Sequence, residues 1–388
     1  MKVLVTDGSY EHTLAIVRYL GRLGIDVCAI GDSPSTLTFR SKYCHEGIVG
    51  PDPWLEQEYV EFLQKTARQG RFDVLIPVGY RTTSVVARHR RDLEGLVKIA
   101  LPDQDSLELA LNKKKTYALA QRIGIPYPQA VYPQSLVEME RMSRSLEYPV
   151  VIKGLLEAGG QLVKYPSGHQ ELVRLYRSMC GENNLYGETL PMIQEYVRGD
   201  TTYSFCGLYQ EGICKKIFMF KEIRSVPVRG GSAAYAESFY DPTLKEYGMR
   251  LLDSLKWHGV ANIEFRQEKG TGKLKLMEIN PKFWASLEVA LRAGVNFPYD
   301  VIQLAMGREV PYSEEYERGL RFHFPLTREL MHIRENPRAL PRVVSDCLDP
   351  RVKSNVWLKD FGPHAYMMWR AMFTVPRSVV LAGVGARR

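Results

Sequence analysis

Along residues 2–105, short apolar runs alternate with segments whose apolar residues recur every three to four positions. The runs Lys2–Thr6, Asp26–Ile30, Asp73–Val78 and Lys98–Leu101 read as strands, and His12–Leu23, Trp54–Arg68 and Thr82–Arg90 carry helical periodicity. Short, continuously apolar strands separated by helices predict a parallel sheet covered on both faces. Beyond Ser106 the texture changes. A lysine-rich helix, Asn112–Ile123, ends at Gly124 before Pro126 and Pro128, then a polar helix precedes the strand Tyr148–Lys153. Strands follow at Met192–Tyr196, Thr202–Leu208 and Gly212–Phe220, then a helix at Pro242–Leu255 and a hairpin. This order is α+β rather than a continuation of the parallel sheet. The pattern therefore predicts an α/β domain over 1–105 followed by an α+β region from residue 106.

Composition narrows the class. With 388 residues, 45% hydrophobic and 25% charged, the chain has the values of a globular protein of two or three domains. No run approaches the roughly 20 apolar residues of a membrane span, and the N-terminus enters a strand directly, so a cytoplasmic location is expected. The six cysteines include no C-x-x-C pair, so neither a disulfide framework nor a zinc site is expected. The formal charge is +8, yet seven basic residues face the single acid Asp360 after residue 350. The remaining body is nearly neutral, which argues against nucleic acid as a partner. The first turn, Asp7-Gly8-Ser9-Tyr10, is not G-x-G-x-x-G and reads as a tight strand-to-helix turn rather than a dinucleotide site.

The most informative stretch is Val260–Ala285. Two strands flank Gly270-Thr271-Gly272, a natural three-residue loop. That register sets Glu264 opposite Glu278 and puts Asn280 on the same face, with Ile263, Phe265, Met277 and Ile279 on the apolar face. Facing carboxylates repel, and a hard cation held by oxygens offsets the repulsion; magnesium fits, with manganese as a substitute. An exposed acidic pair balanced by Arg266 and Lys275 is the alternative. An ion with open positions calls for phosphate oxygens, and lysines complement those. Lys113 begins a helix, and Lys153 ends a buried strand shortly before Gly159 and Gly160. The lysine cluster alone also fits a solvated helix face. The segment Met192–Asp200 offers an apolar strand, a backbone edge and the acids Glu195 and Asp200, as a nucleoside site or simply as an edge strand.

Taken in order, Asn112-Lys113, Tyr148-Pro-Val-Val-Ile-Lys153, Gly159-Gly160, Gln194-Glu195-Tyr196-Val197, Ile263-Glu264-Phe265 and Met277-Glu278-Ile279-Asn280-Pro281 resemble the ATP-grasp superfamily. The likeness is to its carboxylate-amine ligases and carbamoyl-phosphate-synthase-like members, over about residues 1–305, and it implies a pre-ATP-grasp α/β domain over 1–105, an ATP-grasp domain of two subdomains around the ATP cleft over 106–305, and a mostly helical extension over 306–388. The resemblance implies ATP and magnesium. Lys113 and Lys153 would bind the α- and β-phosphates, and the turn at Gly159 and Gly160 would close over the triphosphate. Glu195 and the main chain of Tyr196 and Val197 would hold adenine, Asp200 the ribose, and Glu264, Glu278 and Asn280 the metal. The stretch Lys221–Ser232 matches the place where relatives present cations to the transferred phosphoryl group, which makes Lys221, Arg224 and Arg229 candidates. Lys282 stands where relatives commonly have arginine.

The implied reaction phosphorylates a carboxylate with ATP and captures the acylphosphate with an amine, releasing ADP and phosphate. No nucleophilic side chain is needed, in keeping with the lack of a Cys/His or G-x-S-x-G constellation. A bicarbonate-phosphorylating enzyme and a non-catalytic ATP-binding module are the alternatives. Small carboxylates and amines are the expected partners, with a homodimer as the expected assembly. The basic tail is expected to dock on its own domain or a sister subunit, with peripheral contact to an anionic membrane as the alternative.

Overall fold

The structure is a computed structural model that describes residues 1–155, 163–180, 190–199 and 201–373. In the first unit, β1 (Lys2–Val5), β2 (Asp26–Gly31), β3 (Glu46–Val49) and β4 (Val74–Ile76) form a parallel sheet in the order β3-β2-β1-β4. Helices Glu11–Arg22, Glu56–Gly70 and Tyr80–Arg88 cover it. The β1 and β4 side chains are buried almost throughout, as helices on both faces require. The sequence pattern missed β3, a largely exposed edge strand with a glycine. The strand expected at Lys98–Leu101 contracts to one bridge between Lys98 and Val74. Arg90 takes up the carbonyls of Leu101 and Pro102, which removes them from any ladder.

Local signals set the next elements. Asn112 caps the helix Lys113–Arg122 by accepting from the amides of Lys114 and Lys115, which fixes Lys113 as its first residue. Gly124, at φ 69°, ends that region. A small antiparallel sheet, β5 (Ala130–Val131), β6 (Val150–Lys153) and β7 (Met192–Glu195), runs in the order β5-β7-β6. It faces a seven-stranded sheet made of β8 (Thr202–Gln210), β9 (Ile213–Val226), β10 (Ser232–Ser238), β11 (Gly259–Gln267), β12 (Leu274–Asn280), β13 (Arg321–His323) and β14 (Val352–Ser354). The order is β12-β11-β8-β9-β10-β13-β14, with only β13 and β14 parallel.

The expected boundary near residue 305 therefore cuts through a sheet. β13 pairs with β10, Tyr235 opposite His323, and β14 extends the edge. Residues 306–354 thus complete the large sheet, and helices Arg328–Glu335, Leu340–Leu348 and Gly362–Phe373 surround these two strands in sequence. One core runs through both units: Val3, Ile16 and Leu20 share a cluster with Phe220, Trp284, Phe297 and Phe322. The C-terminal helix docks on the first unit. Arg18 Nε lies 2.7 Å from Asp360 Oδ2, both side chains about 1% exposed, and Asp360 also accepts from Ser41 Oγ and the Lys42 amide. His364 packs on the same arginine, and burial followed by that positive charge lowers its pKa to about 4. Residues 374–388, the last part of the basic tail, lie outside the described residues. No helix among the described residues is long and apolar enough to cross a membrane.

Candidate active site

The two sheets enclose a cleft of about 420 Å³. Its floor is one face of β12, β11, β8 and β9. Glu264 stands opposite Glu278 and Asn262 opposite Asn280, so four side chains converge. Asn280 Nδ2 donates to Glu264 Oε1 at 3.1 Å and to Glu278 Oε1 at 3.3 Å, and Asn262 Nδ2 donates to Glu264 Oε1 at 3.2 Å. The register reaches this pairing through a bulge, because nearer the turn Phe265 pairs with Leu276. Leu276 consequently enters the core and Met277 lines the cleft, which corrects the expectation that Met277 belongs to the apolar face.

Two lysines complete this end of the cleft. Lys113 Nζ lies 3.1 Å from Glu278 Oε2. Lys153, at the end of β6 and buried, donates to the Tyr117 hydroxyl at 3.4 Å; that hydroxyl lies 2.8 Å from Gln194 Oε1 and 3.0 Å from the Met277 carbonyl. Burial, then repulsion from Lys113, brings the Lys153 pKa down to about 7, although Glu278 and Glu264 pull the other way. Burial also opposes ionisation of Glu278, but Lys113 and Lys153 outweigh it and hold its pKa at about 2.

These residues fit a metal-polyphosphate group. Two buried ammonium groups sharing one wall are suited to a polyanion. Two carboxylates bridged by an amide give hard oxygen donors, and turning the Asn280 amide over would add a third. Among the described residues no three acidic, His or Cys side chains converge as a complete metal cage. Oxygens from a bound phosphate would complete such a shell.

The remaining expected residues divide. Tyr196, Val197 and Lys282 line the cleft. Glu195 does not: strand alternation turns Gln194 inward, while the Glu195 carboxylate meets Lys275 Nζ at 2.6 Å and the Gln129 amide at 3.0 Å. Lys221 likewise alternates away from Phe220 and Glu222 and pairs with Glu237 at 2.9 Å. Arg224 would share the cleft face with Glu222 in a regular strand, but a bulge at Ile223 reverses it. Its Nε donates to both Glu329 oxygens at 3.0 and 3.2 Å, its Nη1 lies 2.8 Å from Asp346, and its guanidinium covers the Tyr235 ring. Arg229 is exposed on the turn between β9 and β10. Gly159, Gly160 and Asp200 lie outside the described residues.

Among the cleft residues that escaped the sequence pattern, three bear on the chemistry. Asn262 could have been found by stepping two residues back from Glu264. Glu222, buried at 7% exposure, is marked only by period two from Phe220. Trp284 is buried, and its Nε1 has no hydrogen-bond partner among the described residues.

Residues 220–324 match the family described as ATP-grasp in the biosynthetic pathway with Ter operon. The chain is similar to the carbamoyl phosphate synthase large chain of Methanosarcina mazei, 23% identical over 288 residues that cover 70% of this chain and 25% of that one. It thus spans about a quarter of that curated relative's length. Among solved structures, the biotin carboxylase domain dimer of Hydrogenobacter thermophilus 2-oxoglutarate carboxylase, in complex with MgADP, ADP and bicarbonate, superimposes with a TM-score of 0.66. The identity is 19%, covering 82% of this chain and 72% of that one. An L-amino acid ligase from Bacillus licheniformis gives a TM-score of 0.59 at 18% identity, covering 79% and 74%.

Proposed function

The chain is an ATP-grasp protein, and from that premise we propose that it is an ATP-dependent ligase that activates a carboxylate as an acylphosphate and joins it to an amine. The carrying observation is Glu264 facing Glu278 beneath Asn280, with buried Lys113 and Lys153 on the same wall. In this reading Lys113 and Lys153 bind the α- and β-phosphates of ATP, and the main chain at Tyr196 and Val197 borders the adenine. Glu264, Glu278 and Asn280 hold magnesium, which would neutralise charge between the β- and γ-phosphates. Lys282, which lines the cleft together with Arg266, is the cation assigned here to the transferred phosphoryl group, since Lys221 and Arg224 pair with acids elsewhere. An oxygen of the acceptor acid bonds to the terminal phosphorus as ADP leaves; the amine nitrogen then bonds to the acyl carbon, and phosphate departs with that oxygen. The side chains supply position and charge, the large terms in phosphoryl transfer.

Bicarbonate as the acid is the second reading, favoured by the likeness to a biotin carboxylase domain described with bicarbonate. A screen of phosphate release with magnesium and ATP, crossing carboxylic acids with amines and including bicarbonate alone, separates the two. Stimulation that requires an acid-amine pair supports the ligase; stimulation by bicarbonate alone supports the second reading; silence throughout contradicts both. A homodimer belongs to this proposal, since that biotin carboxylase domain is described as a dimer, and the mass in solution tests it.

A further inference from the structure

The cleft has two electrostatic ends. At one, Lys113 and Lys153 act on Glu278. At the other, on β9, Glu222 is a buried carboxyl that none of the roles above uses. Three strand steps, roughly 14 Å at about 4.8 Å each, separate β9 from β12 in the sheet order. The charged groups acting on Glu222 are Glu264 and Arg266 from β11 and Arg328 from the helix Arg328–Glu335; the Ala233 amide of β10 also donates to it.

Both arginines act on this carboxyl and each also has other partners, and Arg266 lines the same cleft. Arg328 donates to the carbonyls of Ala233 and Ala285 at 3.0 and 2.9 Å and lies 3.1 Å from Glu11. Arg266 donates to the Arg229 carbonyl. Burial, and after it the like charge of Glu264, push the Glu222 carboxyl well above the usual range, and the arginines do not cancel this. A cationic ligand beside this carboxyl would offset that burial cost. The adjoining wall is apolar and aromatic: Phe220 lies two residues before on the same face, and Trp284 lines the cleft. A carboxylate beside aromatic side chains, with no cluster of further oxygen donors among the described residues, matches an alkylammonium group better than a hard metal ion.

We propose that Glu222 forms the subsite for the ammonium group of the amine substrate, at the end of the cleft opposite the phosphate-binding lysines. The subsite selects amines that arrive positively charged; the bound ammonium passes a proton to the Glu222 carboxylate, and the neutral nitrogen then attacks the acyl carbon. This rests on the ligase reading for its place in the reaction, but amine binding can be tested without it. Enzyme carrying ¹³C at the glutamate carboxyl carbons identifies Glu222 as the resonance lost in Glu222→Gln. Adding n-butylammonium should shift that resonance, whereas n-butanol, neutral and of equal length, should not. No response to butylammonium, or an equal response to the alcohol, overturns the proposal.

The reaction supplies the second arm, using the acid most active in the phosphate-release screen. Glu222→Gln should retain exchange of labelled oxygen between the β,γ-bridge and non-bridge positions of ATP within about threefold, while kcat/KM for alkylammonium substrates falls about a hundredfold, the size expected for losing a charged hydrogen bond. Capture of the acylphosphate by hydroxylamine, which is mostly uncharged at neutral pH, should fall much less. Loss of the oxygen exchange, or equal loss with both nucleophiles, overturns the proposal. If the wild-type enzyme exchanges no oxygen with any acid, the ligase reading fails, and the carboxyl resonance still decides the fate of the ammonium subsite.

Discussion

Two buried charge clusters sit on opposite sides of β9 and are built on different principles. Around Arg224 a single guanidinium meets Glu329 and Asp346, and although burial opposes its charge, those two acids hold its proton more tightly than usual. In the cleft two lysines crowd one wall, and Lys153 gives up its proton near pH 7. The first cluster answers its own charges and ties the helix Arg328–Glu335 to the sheet. The second pairs Lys113 with Glu278 but also sets Lys153 beside Lys113 and Glu264 opposite Glu278, like-charge neighbours whose repulsion a bound metal and polyphosphate would offset. Burial alone therefore does not separate structural from functional charge; the presence of unrelieved like-charge neighbours does.

The sharpest break of this contrast is Glu278→Gln. Removing one of the facing carboxylates should lower turnover by about a thousandfold, while the fold survives because Lys153 can shed its proton. Steady-state rates at limiting magnesium with a melting curve check this; near wild-type activity would remove Glu278 from the metal site. In the other cluster, Arg224→Met strands two buried acids and should cost about 3–5 kcal/mol in denaturant unfolding, with nucleotide affinity unchanged in the molecules that remain folded. A large loss of affinity with full stability would move Arg224 back into the chemistry.

Smaller effects sharpen the picture. Lys153→Met and Lys113→Met should each weaken ATP binding by about tenfold to a hundredfold in a nucleotide titration, whereas Lys114 and Lys115 variants should change it less than about threefold. Equal effects from all four would indicate a diffuse basic face. The pH dependence follows from the lowered pKa of Lys153. Between its folded value of about 7 and its ordinary value of 10.5 the unfolded chain binds more protons at this site. Its contribution therefore makes stability rise with pH across that window, and Lys153→Met should flatten the slope. ATP affinity should run the other way, falling by at most about tenfold per pH unit above 7 as the ammonium is lost.

Much of this site was legible because it lies on regular, short-range structure. The β11–β12 loop fixes a local register, so Glu264 and Glu278 could be paired from spacing, and Asn112 marks the start of the helix that presents Lys113. What failed to show was non-local. The bulge at Ile223 turns Arg224 out of the cleft, and no residue type at that position announces it. β13 and β14 are three residues each; β13 gains its place only by pairing with β10, about 85 residues earlier in the chain, and β14 by pairing with β13, so 306–354 read as an extension. Glu222 looked like one charge in a polar strand end; its burial depends on the loop after β12 and on the helix that carries Arg328.

The measurement that bears most directly on the proposed chemistry follows oxygen from the acid. With a carboxylate labelled by heavy oxygen, magnesium, ATP and an amine, one label should appear in the released inorganic phosphate. The acid's oxygen bridges to the terminal phosphorus and stays there when the amine attacks the acyl carbon. Mass analysis of the products should show ADP and singly labelled phosphate; AMP carrying the label, together with pyrophosphate, would contradict phosphoryl transfer to the acid even if every nucleotide contact were correct.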